Sequence, residues 1–164
     1  MRPPVLRPEA LTKHAFAPFG DVVDVDGILA KHINQGFAQR YDRLANIDVE
    51  HGGGAVNVSL FHAKPRPSPI DIRLMERHPL GSQLFAPMQD RPWLVVVCTD
   101  PLDARSYRAF TASGAQGVNY ARNVWHHPLL VLEPSRFLVV DRAGPGVNLE
   151  EVELDDSHRL SLEA

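Results

Sequence analysis

Two short segments concentrate the side chains that do metal and acid–base chemistry, Glu76–Gln83 and Gly117–His127. In an extended strand, residues two apart share a face. Along Ile70–His78, one face would carry Ile70, Ile72, Leu74, Glu76 and His78, and the other Asp71, Arg73, Met75 and Arg77. The apolar row must turn inward, and Glu76 and His78 continue it. A carboxylate and an imidazole facing a core are costly unless hydrogen-bonded, paired or bound to a metal. The chain then turns through Pro79-Leu80-Gly81 and returns as Ser82–Pro87, which brings Gln83 back toward the same cavity. Glu76, His78 and Gln83 offer oxygen, nitrogen and oxygen donors, a set suited to Ni²⁺, Zn²⁺ or Mn²⁺. The plainer alternative is a Glu–His ion pair at a rim.

The second segment packs Asn119, Tyr120, Arg122, Asn123, Trp125, His126 and His127 into a dozen residues. Alternation from Val124 puts His126 with Leu130 and Leu132, and His127 with Trp125, Leu129 and Val131. The two histidines face opposite ways, so one of them joins Glu76 and His78; both faces are apolar, and alternation leaves the choice open.

The elements that must hold these residues read as short strands. Fourteen prolines and eleven glycines are spread along 164 residues, and proline inside a helix costs about 3 kcal/mol. Short helices are expected over Pro8–Ala15 and Arg40–Ile47. Strands are expected over Val22–Val25, Ala55–His62, Ile70–His78, Trp93–Cys98 (apolar on both faces), Ser106–Thr111, Val124–Leu132 and Phe137–Asp141. Turn residues every ten to fifteen positions predict an all-β barrel or sandwich, a single domain over 1–164. The acidic stretch from Glu150 reads as a solvated edge or extension.

Composition narrows the function. Hydrophobic residues make up 44% and charged residues 23%, and the net charge is -3, which argues against nucleic-acid and anionic-membrane partners. No apolar run approaches the roughly 20 residues that span a bilayer, and the N-terminus lacks the apolar stretch of a signal peptide. The lone Cys98 sits in an apolar strand and reads as a buried thiol, so the cytoplasm is the expected compartment. Of 17 basic residues, 14 are arginine, compatible with an anionic substrate.

Glu76-Arg-His-Pro-Leu-Gly-Ser-Gln-Leu-Phe-Ala-Pro-Met88 and Gly117-Val-Asn-Tyr-Ala-Arg-Asn-Val-Trp-His-His-Pro-Leu129 together resemble the signature blocks of the ureidoglycolate lyase family. Agreement extends to Phe16–Val22, Ile33–Gly36 and Phe137–Arg142, with Gln35 standing where the family pattern has asparagine. The resemblance implies a cupin-like, jelly-roll β-barrel, a homodimer, and cleavage of (S)-ureidoglycolate to glyoxylate and urea in allantoin degradation, a branch of purine catabolism. It makes His126 the later histidine of a cupin metal set, with His78, Gln83 and Glu76, around nickel or zinc. Relative to the usual His-x-His-x4-Glu block, this chain exchanges two ligand types.

That substrate is a hemiaminal, whose cleavage needs the hydroxyl proton removed and the departing nitrogen protonated. The resemblance then implies His127, Tyr120 and unligated Glu76 as acid–base candidates. It further implies Arg122 or Arg142 as a carboxylate clamp, and Asn119 and Asn123 as partners of the urea moiety. The alternatives are an amidohydrolase releasing ammonia and CO₂, and a non-catalytic cupin that binds a small carboxylate.

Overall fold

The computed structural model describes residues 2–164. Its regular structure is almost entirely strand, and hydrogen bonding groups the strands into four sheets. The central one orders Glu150–Glu153, Leu74–Arg77, Trp125–His126, Trp93–Cys98, Arg108–Ala112 and Glu9–Ala10, with Leu130–Val131 also pairing to Trp93–Cys98. A five-stranded sheet orders Gly20–Val23, Gly117–Tyr120, Gln83–Pro87, Ser135–Ala143 and Ala55–Ala63. A three-stranded sheet joins Val5–Leu6, Leu160–Leu162 and Ile70–Ile72, and Lys31–Ile33 with Ala38–Arg40 forms a separate hairpin. This is the expected all-β, cupin-like architecture; the ladders remain separate sheets instead of closing into one continuous cylinder.

The strand Trp93–Cys98 explains how the layers stack. Trp93, Val95 and Val97 pack with Val22, Phe85, Val118, Tyr120, Phe137 and Val139 of the five-stranded sheet. Leu94, Val96 and Cys98 pack with Ile70, Ile72, Leu160 and Leu162 of the three-stranded sheet. All six residues of the strand are buried, as the unbroken apolar run predicts. The central sheet is thus the shared wall of two cores. Each aliphatic side chain fully buried there contributes about 1.5–3 kcal/mol.

Several expectations require correction. The expected strand Ile70–His78 breaks at Arg73 into Ile70–Ile72 and Leu74–Arg77, which belong to different sheets. Ile70, Ile72 and Met75 share the outer core, so the inward row does not run unbroken to Glu76. The expected strand Val124–Leu132 is interrupted by a β-bulge. Val97 pairs with His126 and Leu94 with Leu130, so three residues, His127 to Leu129, oppose two. The extra residue inverts the alternation: Leu129 and Val131 join Val124 in the inner core, while Trp125 and Leu130 lie in the outer one.

The first helix shrinks to Lys13–Phe16, capped by the Thr12 hydroxyl accepting from the Ala15 N–H, because Glu9–Ala10 is drawn into the central sheet. Residues 41–50 form no helix. Their backbone groups bond elsewhere: the Asn46 N–H donates to Asp21, the Asp48 N–H to Ser82 Oγ, and Arg43 takes a φ of 59°. The acidic stretch supplies the edge strand Glu150–Glu153, and Leu154, Leu160 and Leu162 beyond it are buried, so it is part of the fold. Gly20 allows the close approach of the strands Gly20–Val23 and Gly117–Tyr120: its φ is 143°, and a Cβ there would lie 1.9 Å from the Asn119 carbonyl oxygen.

Burial pushes the Cys98 thiol up from 9.0 to about 12. Between those values the folded chain holds a proton that the unfolded chain loses, so stability falls as pH rises. The slope approaches about 1.4 kcal/mol per pH unit. Urea unfolding at pH 8 and pH 10.5 should show this loss in the wild type, and a smaller loss in Cys98→Ala.

Candidate metal centre

Glu76 lies on the strand Leu74–Arg77 and pairs directly across the ladder with His126. Cross-strand partners present their side chains to the same face, roughly 5 Å apart at Cβ. His126 opposes Val97, an inner-core residue, so Glu76 and His126 both face the space between the two large sheets. His78 follows one residue past its strand, held by the Asn123 N–H donating to its carbonyl at 2.9 Å. Gln83 opens the neighbouring strand of the five-stranded sheet and pairs with Tyr120. The site therefore forms where the two sheets meet.

The ligand atoms of Glu76, His78 and His126 lie within 4.8 Å of one another. His126 Nε2 is 3.4 Å from Glu76 Oε1, and Gln83 Oε1 is 3.0 Å from His78 Nε2. Each imidazole is fixed from behind. His78 Nδ1–H donates to the Asn148 carbonyl at 2.8 Å, and His126 Nδ1–H to the Val124 carbonyl at 3.0 Å. A carbonyl can only accept, so both Nε2 atoms of the neutral rings carry lone pairs into the cluster. His126 is 1% exposed, and its Nε2 has no hydrogen-bond partner. Tyr120 stacks flat on His126, with centroids 4.1 Å apart and planes 9° apart.

These residues fit a divalent ion. Metal–nitrogen distances near 2.0–2.1 Å set adjacent donors about 3 Å apart in an octahedral shell and about 3.4 Å apart in a tetrahedral one. An orphaned buried imidazole nitrogen is otherwise hard to reconcile with the cost of burying an unpaired acceptor. Burial raises the Glu76 carboxyl, but over the acidic range in which it titrates the neighbouring imidazoles of His126, His78 and His127 are protonated and hold it below its ordinary value. It is therefore an anionic donor at neutral pH.

The other residues singled out from the sequence scatter. His127 stays outside the cluster. It is 3% exposed, its Nδ1–H donates to the Pro128 carbonyl at 2.7 Å, and burial pushes its pKa down to about 4. Tyr120 keeps its proton, because burial and then the Glu76 charge raise it. Asn119 alternates with Val118 and Tyr120 and so lies on the opposite face of the five-stranded sheet from the cluster. There it donates to Asp21 and to the Asn46 carbonyl. It lines a pocket of about 220 Å³ together with Arg122 and Asp48. Arg122 pairs with Asp48 at 3.5 Å. Asn123 occupies a turn at φ 71° and serves through its backbone. Arg142 is buried, with Nε and Nη2 donating to the carbonyls of His51, Gly52 and Pro145. Two of its three guanidinium nitrogens are thereby committed to holding these loops. As alternation predicts, Arg77 points away, bonded to Glu150 at 2.6 Å and lying over Trp125.

Sequence reasoning missed three residues around the cluster: Asn148, whose carbonyl holds His78, and the pair Asp141 and Asn57. The signal for Asp141 is in the chain. It continues the alternating row Phe137, Val139, Asp141, just as Glu76 was found.

An all-β domain with two imidazoles and a carboxylate converging between its sheets defines a cupin-like protein with a candidate metal centre. The ureidoglycolate lyase family model matches residues 3–161; the chain belongs to this family of enzymes. It is 51% identical over 151 residues to ureidoglycolate lyase 1 of Rhizobium meliloti, covering 91% of this chain and 89% of the relative. It is 52% identical over 158 residues to ureidoglycolate lyase of Burkholderia mallei, covering 95% and 93%. Among solved structures, a 3,4-ketoisomerase from Helicobacter canadensis aligns with a TM-score of 0.47 at 15% identity, over 80% of this chain and 87% of that one. An oxalate decarboxylase aligns at 0.39 and 11% identity, over 60% of this chain and 24% of that one.

Arg142→Met removes charge-assisted hydrogen bonds worth about 1.5–3 kcal/mol each. Urea denaturation should show destabilisation of several kcal/mol. A variant of wild-type stability with a raised KM would instead restore the clamp role.

Proposed function

We propose that the protein cleaves ureidoglycolate to glyoxylate and urea, using a nickel- or zinc-class ion held by His78, His126, Glu76 and Gln83. Family membership supports the substrate. The observation that carries the metal is the pair of Nε2 lone pairs, each fixed by a backbone carbonyl behind its ring and both converging on Glu76.

Cleavage breaks the C–N bond of a carbon that bears a hydroxyl, a carboxylate and a ureido nitrogen. The hydroxyl loses its proton as C=O forms, the nitrogen gains one, and no water is consumed. A bound divalent ion supplies Lewis acidity toward the hydroxyl oxygen and lowers its pKa. His78, His126, Glu76 and Gln83 would hold that ion through two imidazole nitrogens, a carboxylate and an amide oxygen. We assign the proton acceptor to His127, which is held neutral with Nδ1–H committed to Pro128, so that Nε2 carries its lone pair. Tyr120 keeps His126 in plane by stacking. Glu76 is assigned to the ligand set, and Arg122, Asn119 and Asn123 to shaping the outer face and the turn behind His78.

The test is turnover of ureidoglycolate by chelator-stripped and metal-restored protein, with urea, ammonia and glyoxylate assayed together. Equal urea and glyoxylate, lost on stripping and regained with Ni²⁺ or Zn²⁺, are expected. Ammonia without urea would make the enzyme a hydrolase, and binding without turnover would make it a sensor. His78→Ala should abolish both metal uptake and activity. His127→Gln should keep the metal and lower kcat about 10²–10⁴-fold, the usual contribution of a positioned base.

We also propose that the protein acts as a cytoplasmic homodimer. The nine-residue strand Ala55–Ala63 is a free sheet edge, and its outward row of Val56, Val58 and Leu60 is 58%, 61% and 55% exposed. Long apolar edges of this kind invite pairing. Leu29 and Phe37, flanking and within the hairpin, are barer still. No helix among the described residues is long and apolar enough to cross a membrane. Val58→Glu should convert the dimer to a monomer in sedimentation analysis; an unchanged mass would place the interface elsewhere.

A further inference from the structure

We infer that Asp141 is a positioning residue that sets which end of the Gln83 amide faces the metal centre, an inference that rests on the metal reading above. In the neutral ring, the form that can ligate a metal, Nδ1–H is donated to Asn148 and Nε2 carries the lone pair. Against that lone pair stands Gln83 Oε1, at 3.0 Å. Two acceptors facing each other repel, and a free glutamine would rotate its amide by half a turn to donate Nε2–H to the imidazole. Asp141 prevents this. Its Oδ2 accepts the Gln83 Nε2–H at 3.3 Å, and after rotation an amide oxygen would face a carboxylate. The carboxylate is itself anchored, since Asn57 Nδ2 donates to Oδ1 at 2.9 Å.

The fold supplies the alignment. Val140 pairs with Leu84 and Asp141 with Asn57, so Asp141, Gln83 and Asn57 lie abreast on three adjacent strands, on the face that looks toward the cluster. The unfavourable contact between His78 and Gln83 is thus imposed from the adjacent strand, and it becomes favourable when a cation draws both donors. Supporting groups of this kind typically change metal affinity 10–100-fold.

Asp141→Asn removes the constraint, because its side chain can donate as well as accept and lets the Gln83 amide turn. Ni²⁺ affinity of the metal-stripped protein, measured by calorimetry, should fall 10–100-fold. In the metal-free protein, the Gln83 side-chain amide proton resonances should shift as their carboxylate partner is lost. The double variant Asp141→Asn/Gln83→Glu exchanges the two groups and presents an oxygen to the metal whichever way the side chain turns, so it should recover affinity. Unchanged Gln83 amide resonances in Asp141→Asn overturn the inference, as does a double variant as weak as the single one, which would mark Asp141 as merely structural. A wild type that takes up no Ni²⁺ while its Gln83 resonances respond to Asp141→Asn overturns the metal reading beneath it and leaves the orientation standing.

Discussion

A carboxylate set against two imidazoles between two apolar sheets is costly unless it is compensated, and much else in this molecule is arranged around it. An isolated buried charge is expensive enough that proteins avoid it or compensate it. Here compensation comes from hydrogen bonds made away from the cluster: Asn148 and Val124 take the outward N–H of each imidazole, and Tyr120 covers the flat face of one ring. These contacts spend every donor of the two neutral rings elsewhere. What remains inward is a set of acceptors alone, which is a request for a cation. The loops obey the same logic. The Leu80 N–H bonded to the Asn148 side chain places the segment whose carbonyl holds His78, and Arg142 ties the loops at His51, Gly52 and Pro145, so irregular chain holds regular ligands.

Much of this was legible in the residues. Proline and glycine spacing excluded long helices, the run Trp93–Cys98 announced a strand buried on both sides, and Glu76 and His78 stood out as polar residues at the end of an apolar row. Glu76 and His78 do lie together, but they arrive by a different route. Arg73 marks a change of sheet, so Ile70 and Ile72 face the outer core while Glu76 faces the inner one. A change of sheet leaves no mark on local alternation, because both halves are still extended and still apolar on one side.

The choice between His126 and His127 failed to resolve for a similar reason. The bulge between them and Leu130 inverts the pattern, and a single extra residue is visible only when the partner strand is known. Asn119 and Arg122 were grouped with the histidines because they are near in sequence, yet strand alternation and the following turn carry them to the other face of a sheet. Asp141 was the reverse case. It lies far along the chain from Glu76 and Gln83, and only the pairing of Ser135–Ala143 with Gln83–Pro87 brings them together.

The shared wall between the two cores bears on motion. His126 is hydrogen-bonded into a strand whose two faces belong to different hydrophobic clusters, so freeing it requires both clusters to open at once. Regions with that connectivity belong to the last unit to exchange amide protons, whereas edge strands open at low cost. Ala55–Ala63 is such an edge, exposed along most of its length, and it carries Asn57, the outermost member of the chain of contacts that ends at Gln83. The cluster thus has a wall packed on both faces on one side and a sheet edge on the other. Local opening of that edge in a single chain would disturb the hydrogen bonds behind Gln83 and leave the imidazoles in place.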